Sequence, residues 1–207
     1  MRDMADLQAR LAQAITDLRA GKPVLVADHK DREGEVDVVL AADRATEKWV
    51  GWMVRHTSGF ICAPMPAERA DVLRLPLMVT ENRDPFRTQY TVSTDAAQGV
   101  TTGISAADRA TTLRALAHPH STPDSLIRPG HVLPLRGHPG GVIQRPGHTE
   151  AAIELVRLAG AGEVGAIAEL VSDEGRMATF AESQHLAEAN DLQYLTIDEL
   201  KAYLNAQ

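Results

Sequence analysis

The sequence predicts a single α/β (α+β) domain in which a mixed sheet is flanked by helices. Three observations carry this. The chain has 207 residues, 44% of them hydrophobic, enough to bury one substantial core. Short apolar runs typical of strands are interspersed with segments of helical periodicity, without clean strand–helix alternation in the middle, so the sheet must mix strand directions. No repeat period and no linker divides the chain, so one domain is expected over 1–207.

Met4, Leu7, Leu11, Ile15 and Leu18 recur at helical spacing, and Gly21 followed by Pro23 stops that helix. VLVA (24–27) and VDVVLAA (36–42) read as strands joined by the charged loop DHKDREGE. Thr46 to His56 reads as a helix, GFICAPM (59–65) and TQYTV (88–92) as strands. Ser105 and Asp108 have capping-box spacing and open a helix running to Ala117. From His118 to Gly147 the density of Pro, Gly and His predicts a loop-dominated stretch, with VLPL and VIQ its only apolar runs. Regular order then resumes. A helix is expected over 149–159, a strand at AIAELV (166–171), a turn at SDEG (172–175), a helix over 181–190, a strand at YLTI (194–197), and a last helix capped by Asp198.

The formal charge of −7 argues against a nucleic-acid or anionic-membrane surface as partner, so an anionic substrate must be met by local arginines. One cysteine, Cys62, excludes an intramolecular disulfide, and the amino-terminal helix lacks the apolar centre of a signal peptide. No run reaches membrane-spanning length. A reduced, cytoplasmic protein is expected.

Two places concentrate chemistry. DHKDREGEVD (28–37) sets Asp28, Asp31, Glu33, Glu35 and Asp37 around Arg32. It is either a solvated loop or, if strand-like alternation points the odd-numbered acids together, a set of oxygen ligands for a divalent cation such as Mg²⁺. The word RPGH occurs twice. In the second copy, Arg145 to His148, His148 and Thr149 stand at a helix start, where free amides and the helix dipole favour an anion, and Arg145 adds a planar fork suited to phosphate. His148 itself is either a structural hydrogen-bonding group or a metal ligand. In the first copy, Arg128 to His131, an extended segment follows, so His131 suits proton transfer or simply fixes a Pro-Gly turn. Glu169 is a lone acid in an apolar strand, and must be paired, protonated, facing a cleft, or on a solvated edge. Cys62 reads as a small buried hydrophobe, although a position at a strand end could bring it into a pocket.

Together HTSGFIC (56–62), GVTTGISAADRATT (99–112), RPGHVLPLR (128–136), GGVIQRPGHTEAAIELVRLAG (140–160) and AELVSDEGRMA (168–178) closely resemble the 3,4-dihydroxy-2-butanone 4-phosphate synthase family of riboflavin biosynthesis. The resemblance runs in order over nearly the whole chain. It implies an α/β fold with a mixed sheet, conversion of ribulose 5-phosphate to 3,4-dihydroxy-2-butanone 4-phosphate and formate, Mg²⁺ or Mn²⁺ as cofactor, and a homodimer with its sites at the subunit interface. By motif it implies that Glu33 and His148 are metal ligands. It puts Arg32, Glu33, Asp37, Arg145, Pro146, Gly147, His148, Thr149 and Glu169 against substrate, and His131 and Glu169 at positions essential to the chemistry. Some members carry a fused GTP cyclohydrolase II module that binds zinc through cysteines; with one cysteine, this chain is expected to have a single function.

The sequence departs from the family pattern at Lys30, Gly34 and Val36 of the acidic loop and at Thr57. These departures motivate the alternative of a catalytically altered or non-catalytic paralogue. Val36 in an extended conformation would continue into the strand that follows and need no positive φ.

Overall fold

The computed structural model describes residues 2–206, with side-chain surroundings from Asp6 onward, so the Met4 side chain of the first apolar pattern lies outside the described residues. Eight helices pack on both faces of a mixed sheet. The strands are β1 (Val24–Ala27), β2 (Val36–Ala41), β3 (Cys62–Pro66), β4 (Gln89–Tyr90), β5 (Thr94–Ala96), β6 (Leu126–Gly137), β7 (Gly165–Glu169) and β8 (Tyr194–Thr196). Their spatial order is β4-β6-β3-β7-β2-β1-β8, with β5 pairing β6 off this path. β1–β2, β2–β7 and β3–β7 are antiparallel, whereas β1–β8 and β3–β6 are parallel.

The helices are α1 (Arg2–Arg19), α2 (Glu47–His56), α3 (Ala67–Val72), α4 (Ala106–Ala117), α5 (Gly141–Gln144), α6 (His148–Leu158), α7 (Phe180–Ala189) and α8 (Ile197–Asn205). Side chains alternate across a strand, so the central strands feed two cores. Leu25, Ala27, Val38 and Leu40 pack with Val50, Met53, Leu113 and Leu116 of α2 and α4. Val24, Val26, Val39 and Ala41 pack with Leu11 and Leu18 of α1 and with Ala151, Ala152, Leu155 and Val156 of α6. Burial on both faces explains why β1 and β2 read as continuous apolar runs. Gly165 of β7 lets α6 approach closely, since a Cβ there would lie 3.1 Å from the Ala152 methyl.

Most expected elements form, and Gly21 ends α1 at φ 78°. Thr46, the first residue assigned to the second helix, is instead the N-cap of α2 and accepts from Trp49 N. Four readings change. The stretch 118–147 is not loop-dominated, because β6 runs through it for 12 residues and carries the first RPGH. TQYTV forms only the two-residue β4. The cap of α8 is Thr196, in a reciprocal box with Glu199, rather than Asp198. Ser105 does cap α4, accepting from Asp108 N, but Asp108 does not return to the cap. Its carboxylate accepts from Thr101 N, Thr101 Oγ1 and Gly103 N instead, tying down the loop before the helix. No helix among the described residues is long and apolar enough to cross a membrane.

Candidate active site

The acidic loop is folded around one carboxylate. Asp28, whose side chain is fully buried, accepts from Glu35 N at 3.0 Å through Oδ1, and from Glu33 N at 3.1 Å and Arg32 Nη1 at 3.0 Å through Oδ2. Gly34 supplies the positive φ, 71°, that turns the chain, and Val36 is extended as the first residue of β2. The turn thus needs glycine at 34 rather than at 36. Glu33, Glu35 and Asp37 all line one pocket, together with Arg32, Cys62, Thr88, Tyr90, Leu135, Arg145, His148, Thr149, Ile167 and Glu169. Three of the odd-numbered acids thus share the pocket, whereas Asp31 stays exposed beside His29.

His148 is the first residue of α6, set over β1 by the packing of that helix. Its Nε2 lies 3.1 Å from Val26 O, an acceptor only, so Nε2 carries a proton and donates. Nδ1 then faces Glu33 Oε2 at 3.4 Å and Asp37 Oδ1 at 3.7 Å. Burial works against a proton on Nδ1, but Asp37, Glu33 and Asp28 outweigh it and raise His148 to about 9. Burial pushes Asp37 up to about 7 despite the opposing pull of His148, with Glu169, Glu33 and Glu35 adding to the rise. Glu33 goes the other way: burial would raise it, yet His148 and Arg32 hold it below the ordinary carboxylate value.

Asp37 Oδ1 is buried without a hydrogen-bond partner among the described residues. A lone buried oxygen beside an imidazole nitrogen and a second carboxylate is a donor set suited to a divalent cation, and its cost without one is that of an unsatisfied polar group. The residues therefore fit the metal expected at Glu33 and His148. Asp28, Glu33 and His148 also bring ligand-type atoms within 4.8 Å of one another, but both oxygens of Asp28 are already engaged by the loop.

The anion-binding expectation has a geometric counterpart at Gly147. This residue caps α6 without a side-chain hydrogen bond, leaving the first-turn amides to an external acceptor. A Cβ there would lie 2.7 Å from Arg145 Nη1 and 3.0 Å from Arg32 Nη2. Two guanidiniums and a helix N-terminus thus crowd together at Gly147, with the Glu150 carboxylate, at 3.1 Å from the same point, holding Arg145 in place. Pro146 carries the chain from Arg145 into that cap. The Arg145 fork is aimed by Glu150 Oε2 at 2.6 Å and by Phe86 O and Thr88 Oγ1 at 3.2 Å, and Arg32 lies over the Phe86 ring at 4.8 Å. Lysine would keep the charge but donate from a single nitrogen, without the planar fork that spreads these contacts over Nη1 and Nη2. Arg145→Lys is expected to raise KM for a phosphorylated substrate about tenfold, the cost of one charge-assisted hydrogen bond; initial-rate kinetics with both constants unchanged would contradict it.

Glu169 lies opposite Asp37 in the β2–β7 register, in a strand flanked by β2 and β3, so the solvated-edge reading fails and the cleft reading holds. Its Oε2 accepts from Ser58 Oγ at 2.7 Å, while Ser58 N donates to its main-chain oxygen at 2.8 Å. Cys62 forms a wall beside it. Burial first, then Glu169 and Asp37, keep the thiol protonated well above its ordinary value, which suits the small-hydrophobe reading.

His131 is the residue the single chain does not bring to this pocket. It lies on β6 four residues before the pocket-lining Leu135, about 13 Å away at strand rise, and pairs with Asp95 at 2.7 Å. The sequence reading missed Thr88, Tyr90, Ser58 and Asp95 as participants. Ser58 lay inside the HTSGFIC motif; Asp95 had no local signal, because only the sheet brings it to His131.

Comparison with known proteins agrees with this geometry. The family model for 3,4-dihydroxy-2-butanone 4-phosphate synthase matches residues 12–203. The riboflavin biosynthesis protein RibBA of Nocardia farcinica is 50% identical over 195 residues, 93% of this chain and 47% of that protein; the chain spans about half the length of such relatives. The 3,4-dihydroxy-2-butanone 4-phosphate synthase of Chromobacterium violaceum is 47% identical over 201 residues, 97% of this chain and 96% of that one. A solved structure of a 3,4-dihydroxy-2-butanone 4-phosphate synthase in complex with two magnesium ions superposes with a TM-score of 0.90 at 43% identity, covering 95% of this chain and 96% of its own. With Arg32, Glu33, Asp37, Arg145, His148, Thr149 and Glu169 lining one pocket and the family model spanning all but the ends, the chain belongs to the 3,4-dihydroxy-2-butanone 4-phosphate synthase family.

Proposed function

We propose that this chain converts D-ribulose 5-phosphate to L-3,4-dihydroxy-2-butanone 4-phosphate and formate, supplying riboflavin biosynthesis in the cytoplasm, with residues 1–207 acting as one synthase domain. The observation that carries the proposal is the convergence, at the start of α6, of the Arg32 and Arg145 guanidiniums with the Glu33–His148–Asp37 donor set. A sugar phosphate bound by its phosphate at the first would extend its oxygens toward the second.

The overall reaction needs no external oxidant: five carbons become four plus one, through enolisation, loss of water, migration of a carbon fragment, addition of water and cleavage. Each stage moves a proton or builds charge on oxygen, so positioned acids and bases are the required equipment. Mg²⁺ or Mn²⁺ held by Glu33 and His148 would supply Lewis-acid stabilisation of adjacent substrate oxygens. The protein's own groups do the rest. Arg145, Arg32 and the amides around Gly147 to Thr149 hold the phosphate. Asp37 orients the sugar beside the donor set, Glu169 moves protons at the pocket floor with Ser58 fixing its carboxylate, and Tyr90, whose phenol burial holds in the protonated form, excludes water.

His131 reaches such a site only from a second copy, which is why we assign a homodimer with shared sites. The surface around His131 supports it, since Ile104 and Ile127 are each 52% exposed in a face that a partner would cover. The altered positions favour activity over the non-catalytic alternative. Val36 continues β2, Thr57 closes α2 by donating through Oγ1 to Met53 O at 2.7 Å, and Lys30 is exposed on the loop crest. Purified protein with ribulose 5-phosphate and Mg²⁺ should release formate, and a chelator should stop it; no formate with either metal would end this reading.

A further inference from the structure

The pairing of β5 with β6 shifts register between Thr94, which faces Val132, and Asp95, which faces Ile127. The residues between, Arg128 to His131, are therefore an excursion of β6, and they fold back over Asp95. Gly130 N donates to Ser93 Oγ at 3.1 Å, His131 N donates to Asp95 Oδ1 at 2.8 Å, and His131 Nδ1 lies 2.7 Å from Asp95 Oδ2. The carboxylate is thus used twice, once on the main chain of His131 and once on its ring.

The surroundings leave this pair little freedom. Asp95 is 7% exposed. A Cβ on Gly130 would lie 2.1 Å from the Thr94 carbonyl carbon, and one on Gly103 would lie 2.0 Å from Asp95 Oδ2 and 2.6 Å from His131 Nδ1. Two glycines therefore let two segments of main chain close on the pair. The loop carrying Gly103 is itself fastened by the Asp108 carboxylate. The His131 side chain nevertheless stays 40% exposed, so the ring is held on one edge and open on the other.

We propose that Asp95 is a positioning residue of the reaction: it holds His131 in the tautomer protonated at Nδ1 and presents Nε2 outward as the atom that exchanges protons with substrate. The inference rests on the reading of His131 as a proton-moving group. A carboxylate accepts but does not donate, so Nδ1 must carry hydrogen, and the lone pair is left on Nε2. An aspartate that served only to brace the turn would need just the main-chain bond.

The test uses the full chain with ribulose 5-phosphate and Mg²⁺. Asp95→Asn keeps an acceptor for His131 N but can offer its amide to Nδ1, which favours the opposite tautomer. It should lower kcat about 10²- to 10⁴-fold with KM within about twofold of the parent. In a His131→Ala background the same substitution should change kcat by less than about threefold, because its effect runs through the ring. Nitrogen-15 imidazole spectra should report hydrogen on Nδ1 of His131 in the parent and on Nε2 in Asp95→Asn. Hydrogen on Nε2 in the parent overturns the proposal even if the variant does not fold. So does an unchanged kcat in Asp95→Asn, or an equal loss with and without His131. If His131→Ala alone keeps full activity, the role assigned to His131 fails, and the spectra still decide the tautomer.

Discussion

Glu33→Gln is expected to lower formate release from ribulose 5-phosphate by about three orders of magnitude, because a Lewis-acid site contributes several kcal/mol of transition-state stabilisation. The substitution keeps the side-chain shape and removes the charge. It takes from His148 Nδ1 its neighbour at 3.4 Å and from Arg32 its partner at 2.6 Å. It should not unfold the protein, since the loop is folded by Asp28, whose carboxylate accepts from Glu33 through the main chain rather than the side chain. Titration calorimetry with Mg²⁺ should show the loss of affinity directly, while the melting temperature without metal should fall by only a few degrees, the cost of the pairs that hold Glu33 below its ordinary carboxylate value. A variant with the parent's Mg²⁺ dependence would remove Glu33 from the ligand set.

His131→Ala should lower activity about 10²- to 10⁴-fold, the range for a group that transfers protons, and should do so in a way that mixing can repair. If each site takes His131 from one copy and Glu33 from the other, a hybrid dimer of His131→Ala and Glu33→Gln chains has one site with both defects and one with none. Random pairing makes about half of the dimers hybrid, so an equal mixture should recover about a quarter of parent activity. Two inactive proteins that stay inactive after exchange of subunits would place His131 and Glu33 in the same copy or remove one of them from the chemistry. Light scattering should find the dimer at the concentrations used.

How much could be read from the residues depended on whether the signal was local. α6 was legible because its apolar spacing and its Gly147 cap are features of one segment, and its start places His148 and Thr149 in the pocket. The acidic loop was legible as a unit for the same reason, although the role of Asp28 as its anchor was not. β6 was misread because Pro129, Gly130 and Pro134 normally punctuate loops. In the sheet their costs are met by particular neighbours: Gly130 is the only residue that fits against Thr94, and Pro134, lacking a donor, still accepts from Thr91 N through its carbonyl at 3.0 Å. Asp95 and Ser58 were invisible for a related reason. Each acts on a residue 36 or 111 positions away, a distance that only the pairing of strands closes. The last helix shows a smaller form of the same limit, since TIDE offers two capping residues and only the backbone reveals that Thr196, facing Glu199, is the one used.

α6 has a double allegiance. Its first turn holds His148 and Thr149 in the pocket, while Ala151, Ala152, Leu155 and Val156 of the same helix are interior. The pocket therefore depends on the packing of this helix. A copy that is nicked, swollen or only partly assembled loses the geometry at the head of the helix as soon as the shaft loosens. Loss of packing and loss of the site are then one event, so the activity proposed above would double as a readout of the fold.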